Sequence, residues 1–332
     1  MKKVKIISDL FGEKYFYKHD LVVRVAWKYY KEELNQKEIA DIFDISRFKV
    51  MDLLSEAKEE GIVQIKINSP IFNCLSLEEK IKKEFSLKDA FVVPTPKDKG
   101  KILEAIAYAG ADYLENTIKS GDLIGTAWGR TLFQLSQKFT VKRNKYQNVS
   151  FILMLGGLAG ENIISLNPYD VAKTLADKVG GNCYYIFAPA KVDSLQAKKF
   201  FIKDKRVSSA LKKAKSVNKA LVGIGQTTDE ATLIKTDFIT RKEMDCLVEK
   251  GAVGDIVGRY YDINGNLIGS KVDDMIVGLD LKEIAEIDEV IAFAGGEKKV
   301  KPILGALNGG FINSLITDEE CAKSILKLKK KI

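Results

Sequence analysis

At 332 residues and 37.0 kDa the chain is longer than one ordinary domain, so two are expected. Its 46% hydrophobic and 30% charged residues are an ordinary globular balance and exclude disordered, collagen-like and fibrous classes. The net charge of +8 admits a polyanionic partner without demonstrating one, because the excess is spread along the chain and clusters only in the terminal LKLKKKI, which reads as a solvated helix end.

The N-terminus starts basic, but Asp9, Glu13 and Lys14 break it before a secretory apolar core of the needed length, which gives an expectation of a cytoplasmic protein. Residues 20–34 then place Leu21, Val22, Val25, Ala26 and Tyr29 at helical spacing. Asn35 with Glu38 three positions on has the form of a capping box, opening a second helix with Ile39, Ala40 and Phe43 on its buried stripe. Asp44-Ile45-Ser46 is long enough only for a tight turn, and Ser46 suits the cap of a third helix carrying Val50, Leu53, Leu54 and Ala57 and ending at Gly61. The alternation in Ile62–Ile67 predicts a strand. Two short helices across a three-residue turn, then a strand, is the winged helix-turn-helix order, in which the second helix can enter the major groove of double-stranded DNA. Candidate DNA contacts are Gln36, Lys37, Ser46, Arg47, Phe48, Lys49, Asp52 and, from the wing, Lys66. A small helical dimerisation module with surface charges fits the same pattern.

Ser76–Leu87 reads as a connecting helix and Ala90–Pro94 as the first strand of a larger domain, with the boundary drawn between residues 68 and 69. Helical and strand-like stretches alternate from there, which predicts βα units around a mostly parallel sheet. Strand-like Leu123–Ala127 leads into Trp128-Gly129-Arg130-Thr131, Phe151–Leu155 into Gly156-Gly157, Tyr184–Phe187 into Ala188-Pro189-Ala190, Ala220–Val222 into Gly223-Ile224-Gly225-Gln226, and Val290–Phe293 into Ala294-Gly295-Gly296 and Lys299. Those ends share one edge of a parallel sheet, where glycine lets backbone N–H groups approach an anion. Asp255, in the glycine-flanked stretch Gly251–Gly258, could accept hydrogen bonds from sugar hydroxyls or be a plain turn carboxylate. A glycine after a strand is also a common packing device, and neither a Walker loop nor a dinucleotide fingerprint occurs.

The longest apolar run, Val149–Ala159, is too short and glycine-broken for a spanning helix, so no membrane partner is expected. The four cysteines, Cys74, Cys183, Cys246 and Cys321, lack metal-binding spacing, and His19 is the single histidine, so neither a metal nor a cofactor is expected.

Taken in order, NQKEIADIFDISRFKVMDLLSEAKEEGIVQIKI, GDLIGTAWGRTL, ALVGIG, GAVGDIVGRYYDINGN and AGGEKKVKPILGALNGGFINSL make the chain similar, over roughly residues 20–327, to the SorC/DeoR type of sugar-responsive bacterial transcription regulators. The resemblance implies a winged helix-turn-helix domain at residues 1–68. It implies a sugar-phosphate effector-binding and oligomerisation domain at 69–332, resembling the ribose-5-phosphate isomerase and glucosamine-6-phosphate deaminase-like fold. It also implies dimers or tetramers whose operator binding responds to a phosphorylated sugar. Residue by residue, the family's phosphate loop falls on Gly129, Arg130 and Thr131, its paired glycines on Gly156 and Gly157, its acidic position on Asp255 and its GGxxK lysine on Lys299. Members that form a lysine Schiff base carry that lysine where this chain has Leu155, which implies non-covalent binding here. Asp44 replaces the usual glycine of the turn, and Asp52 stands where a basic residue is usual. A sugar-phosphate isomerase or deaminase using Asp255, Asp318 or Glu161 as base is the rival reading. A regulator that keeps the sensing fold without DNA binding is a third.

Overall fold

The computed structural model describes residues 13–65, 69, 71–141, 145–158 and 167–331; Lys66 and Glu161 lie outside them. The chain divides into two compact units, Met1–Asn68 and Ser69–Ile332.

In the first unit, α1 spans Glu13–Tyr30, α2 Gln36–Phe43 and α3 Arg47–Glu59. Asn35 accepts the N–H groups of Lys37 and Glu38 while the Glu38 carboxylate accepts the Asn35 N–H, so α2 starts at the reciprocal cap read from the sequence. It stops at Asp44, whose φ of 51° is left-handed, a conformation Asp tolerates better than most residues. Ser46 then caps α3 by accepting the Lys49 N–H at 3.1 Å. One small core closes around Val22, Val25 and Ala26 of α1, Ile39 and Ala40 of α2, and Val50, Leu53, Leu54 and Ala57 of α3. Burying positions 50, 53, 54 and 57 turns positions 48, 51, 52 and 55 of the same helix outward.

The strand expected over Ile62–Ile67 is absent from the described part of that stretch: Ile62 and Val63 form a bend, and Gln64 and Ile65 are irregular and exposed. The Val63 N–H bonds the Ala57 carbonyl at 2.9 Å and closes the end of α3, so it offers nothing to a strand partner. Alternation alone makes no strand without a second one beside it.

The second unit is built on nine strands among the described residues: β1 Asp89–Val93, β2 Leu123–Thr126, β3 Ser150–Leu153, β4 Asn182–Tyr184, β5 Lys219–Gly223, β6 Gly254–Ile256, β7 Arg259–Tyr261, β8 Glu289–Phe293 and β9 Ser314–Asp318. Seven form one sheet in the order β1-β9-β8-β5-β2-β3-β4, with every pairing parallel. β3 and β9 are buried at every position, which requires cover on both faces. Helices Ile102–Thr117, Arg130–Lys138 and Pro168–Val179 pack as one group, and Phe72–Phe85, Val300–Asn308 and Glu319–Lys329 as another. The sequence expectation of a mostly parallel α/β sheet therefore holds.

Three local readings differ. The strand expected at Tyr184–Phe187 is β4, set earlier in the chain by its register Ser150↔Asn182, and Phe187 is left exposed. Ser314–Asp318, read from sequence only as part of a motif, is a central strand. The Asp255 stretch is not a loop but the antiparallel hairpin β6–β7, turned by Val257 at φ 50° and Gly258 at φ 77°. Left-handed backbone at both turn residues matches the twist of a two-residue hairpin.

The chain order places the site. From β2 the strands proceed through β3 to β4 at one edge, and β5 then returns to the other side of β2. The reversal opens a crevice between the carboxyl ends of β2 and β5.

Candidate functional site

That crevice holds an inner pocket of about 90 Å³. Trp128, Gly129, Arg130 and Thr131 line it from the end of β2, Gly223–Gln226 from the end of β5, Asp255 from the hairpin, and Lys299 from the turn after β8. Arg130, Thr131, Ile224, Gln226, Glu230 and Lys299 also line an outer hollow of about 990 Å³ that reaches Gly295, Gly296 and Asp318. Together these have the dimensions of a small-molecule site.

Each wall follows from its sequence. Gly129 has φ 135°, which only glycine adopts easily, and no side chain caps the helix it opens, Arg130–Lys138, so that helix directs free N–H groups and positive dipole at the pocket. A Cβ on Gly225 would fall 1.6 Å from Asp255 Oδ1, so glycine there is the condition for the carboxylate to enter. Asp255 Oδ2 accepts the Gly258 N–H at 3.0 Å, and among the described residues no donor reaches Oδ1. Lys299 Nζ donates to the Ile224 carbonyl at 2.6 Å, which aims the ammonium across the pocket with two N–H groups to spare.

Burial pushes the Asp255 carboxyl up to about 6, opposed by the Gly258 N–H and by Lys299. Burial likewise draws the Lys299 ammonium down to about 8, with Asp255 opposing the shift and Arg130 adding to it. Of the other cations around the hollow, Lys298 pairs with Glu230 at 2.5 Å, Lys99 with Glu320 and Lys323 with Glu319. Arg130 makes neither hydrogen bond nor ion pair among the described residues. Two cations, Arg130 and Lys299, are thus left to meet an anion, while Asp255 and Gln226 offer hydrogen-bonding groups beside them. Gln226, whose amide donates to Thr228 Oγ1 at 2.8 Å, was not singled out as a site residue; its signal is its place directly after Gly223-Ile224-Gly225.

Gly156 and Gly157 do not join this group. The Gly156 N–H bonds the Val277 carbonyl at 2.9 Å and the Gly157 N–H the Ala188 carbonyl at 3.0 Å, so neither is free for an anion. A Cβ on Gly157 would lie 2.2 Å from the Tyr169 ring, which identifies these as packing glycines. Leu155 beside them is fully buried. Asp318, a base in the rival reading, is also committed. Its Oδ1 accepts the Gly296 N–H at 2.6 Å and its Oδ2 the Thr95 hydroxyl at 2.7 Å, and it caps the last helix.

In the first unit, Gln36, Lys37 and Arg47 come together around one open cleft with Tyr29 and Asn35. Arg47, Phe48, Lys49 and Asp52 are exposed on α3. Ser46 is exposed too, but its hydroxyl oxygen is occupied as the helix cap.

A family profile described as "Putative sugar-binding domain" matches residues 69–327. The deoxyribonucleoside regulator of Bacillus subtilis is 32% identical over 93% of this chain and 98% of its own. The chain belongs to the SorC/DeoR-type family of transcriptional regulators. Within it, the LsrR regulator of Klebsiella pneumoniae is 29% identical over 93% of both chains. The crystal structure of the full-length sorbitol operon regulator SorC from Klebsiella pneumoniae superposes with a TM-score of 0.71 at 29% identity, covering 92% of this chain and 98% of that one. These relatives are named as regulators rather than enzymes, which decides against the isomerase or deaminase reading.

Proposed function

We propose that the chain is a DNA-binding transcription regulator in which residues 69–332 bind a phosphorylated sugar and residues 1–68 bind an operator, the first event altering the second. It works in the cytoplasm, as a dimer or tetramer that addresses paired half-sites. The observation that carries the effector reading is the convergence of Gly129, Arg130, Thr131, Asp255 and Lys299 on one pocket at the strand-order reversal. An uncapped helix N-terminus with two unpaired cations suits a phosphate. A buried carboxylate with one oxygen lacking a donor suits a sugar hydroxyl.

The test is a thermal-shift screen of the intact protein against phosphorylated and free sugars, since a ligand that binds only the folded state raises the melting temperature. A sugar phosphate is expected to stabilise where its dephosphorylated form does not. Lys299→Ala is expected to abolish that shift with DNA binding retained, and Arg47→Ala to weaken DNA binding with the shift retained. Stabilisation by free sugars alone, or an unaltered response in both variants, overturns the assignment.

A further inference from the structure

The outward stripe of α3 is unusual for a helix that meets a polyanion. Phe48 is 80% exposed and Met51 50% exposed, and they lie three residues apart on one face with Asp52 and Ser55, while the cations Arg47 and Lys49 flank that face. Capping by Ser46 starts the helix at Arg47, so Phe48 is in the first turn, the part of a reading helix that reaches base edges. No phosphate is served by an apolar ring or a carboxylate. The major groove, however, presents an apolar group on thymine alone, its C5-methyl, and cytosine presents the N4–H donor that a carboxylate accepts.

Resting on the DNA-binding reading above, we infer that this face is a base-reading surface in which Phe48 and Met51 pack on a thymine methyl and Asp52 accepts from an adjacent cytosine amino group. Arg47 and Lys49 hold the flanking phosphates. The division of labour accounts for the composition of the helix: cations at the rim supply affinity, and the apolar and acidic centre penalises every base that lacks a methyl or an amino donor.

The experiment selects duplexes from a randomised pool with the full chain and then modifies the enriched site. Enriched half-sites are expected to contain a thymine next to a cytosine. Replacing that thymine by deoxyuridine, which removes only the methyl, is expected to weaken wild-type binding about 4-fold. Phe48→Ala is expected to narrow the difference between thymine and deoxyuridine, with Met51 retaining part of it, and Asp52→Asn to shift the enriched base from cytosine to adenine, whose edge suits an amide. The uracil comparison needs no variant, so it stands even if a substituted chain fails to fold. Equal wild-type affinity for thymine and deoxyuridine overturns the inference and leaves DNA binding intact. A Phe48→Ala chain that changes oligomeric state at unaltered DNA affinity also overturns it, because the face is then a contact between copies. If no sequence is enriched and no duplex is retained, the DNA-binding reading itself fails.

Discussion

Asp255 and Lys299 carry opposite charges into one pocket, and burial works against both. The Lys299 proton is lost as pH rises through about 8 instead of through the usual lysine range, so an anion meets a full positive charge only below that value. Asp255, raised to about 6, favours folding below its unfolded value and loses that contribution as pH rises through 6. Lys299 favours folding above its unfolded value and loses that contribution as pH falls through 8. Near neutrality both ionised groups therefore weigh against the empty protein, and a bound anion offsets the lysine's share. Calorimetric affinity for a sugar phosphate is expected to hold between pH 6.5 and 7.5 and to fall by up to about tenfold per unit above pH 8. Lys299→Arg is expected to abolish that fall, and a profile flat to pH 10 in the wild type contradicts the role. Asp44 offers a test in the other unit. Asp44→Gly releases a left-handed non-glycine residue and is expected to stabilise the unit by about 1 kcal/mol in denaturant titration; a loss of stability shows that its side chain is needed. Arg130, Thr131, Asp255 and Lys299, each within three residues of a glycine in the sequence, line one pocket. Gly156 and Gly157 carry the same local signature, and only their distant partners Val277 and Ala188 reveal a packing role.

The element that delivers Asp255 is the β6–β7 hairpin, and it is fastened to the element that delivers Lys299. The Tyr261 hydroxyl donates to the Pro302 carbonyl at 3.1 Å, and Gly254 lies against the same proline, at the start of the helix Val300–Asn308 that follows Lys299. Tyr261 is fully buried, so its phenol positions the carboxylate relative to the ammonium without touching the pocket. Tyr261→Phe keeps the ring and removes only the phenol's hydrogen bond to a carbonyl that sits inside the helix Val300–Asn308, which is expected to cost about 1 kcal/mol of stability. It is also expected to weaken effector binding several-fold and to shift the pH at which binding declines, the second readout being one that a loss of stability alone leaves in place. None of this was visible in the sequence, where glycines around Asp255 read as a loop. Two left-handed residues at Val257 and Gly258 make a hairpin, and glycine spacing does not show which residue pairs with which. The expected wing strand is the converse case: its described part, Ile62–Ile65, has strand alternation without strand structure, and the rest of Ile62–Ile67 lies outside the described residues. The helices of the first unit, whose periodicity and caps are local, were legible.

At the scale of the whole molecule, the parallel order β1-β9-β8-β5-β2-β3-β4 gathers remote strand ends around one pocket, and a separate three-helix unit exposes Arg47, Phe48, Lys49 and Asp52 on α3. Fold class and family were legible because alternating βα patterns and the order of short motifs survive where single motifs are weak. For two such units to form one regulator, effector and DNA must each change the affinity of the other by the same factor, typically 5- to 150-fold. Only differential binding to two states can produce that reciprocity. The deciding measurement is the affinity of the full chain for its selected duplex with and without a saturating sugar phosphate, at one fixed salt concentration. A change within that range, matched by an equal change in sugar-phosphate affinity when DNA is present, is the expected result. Identical DNA affinities with the pocket empty and full would contradict the coupling on which the regulatory reading rests.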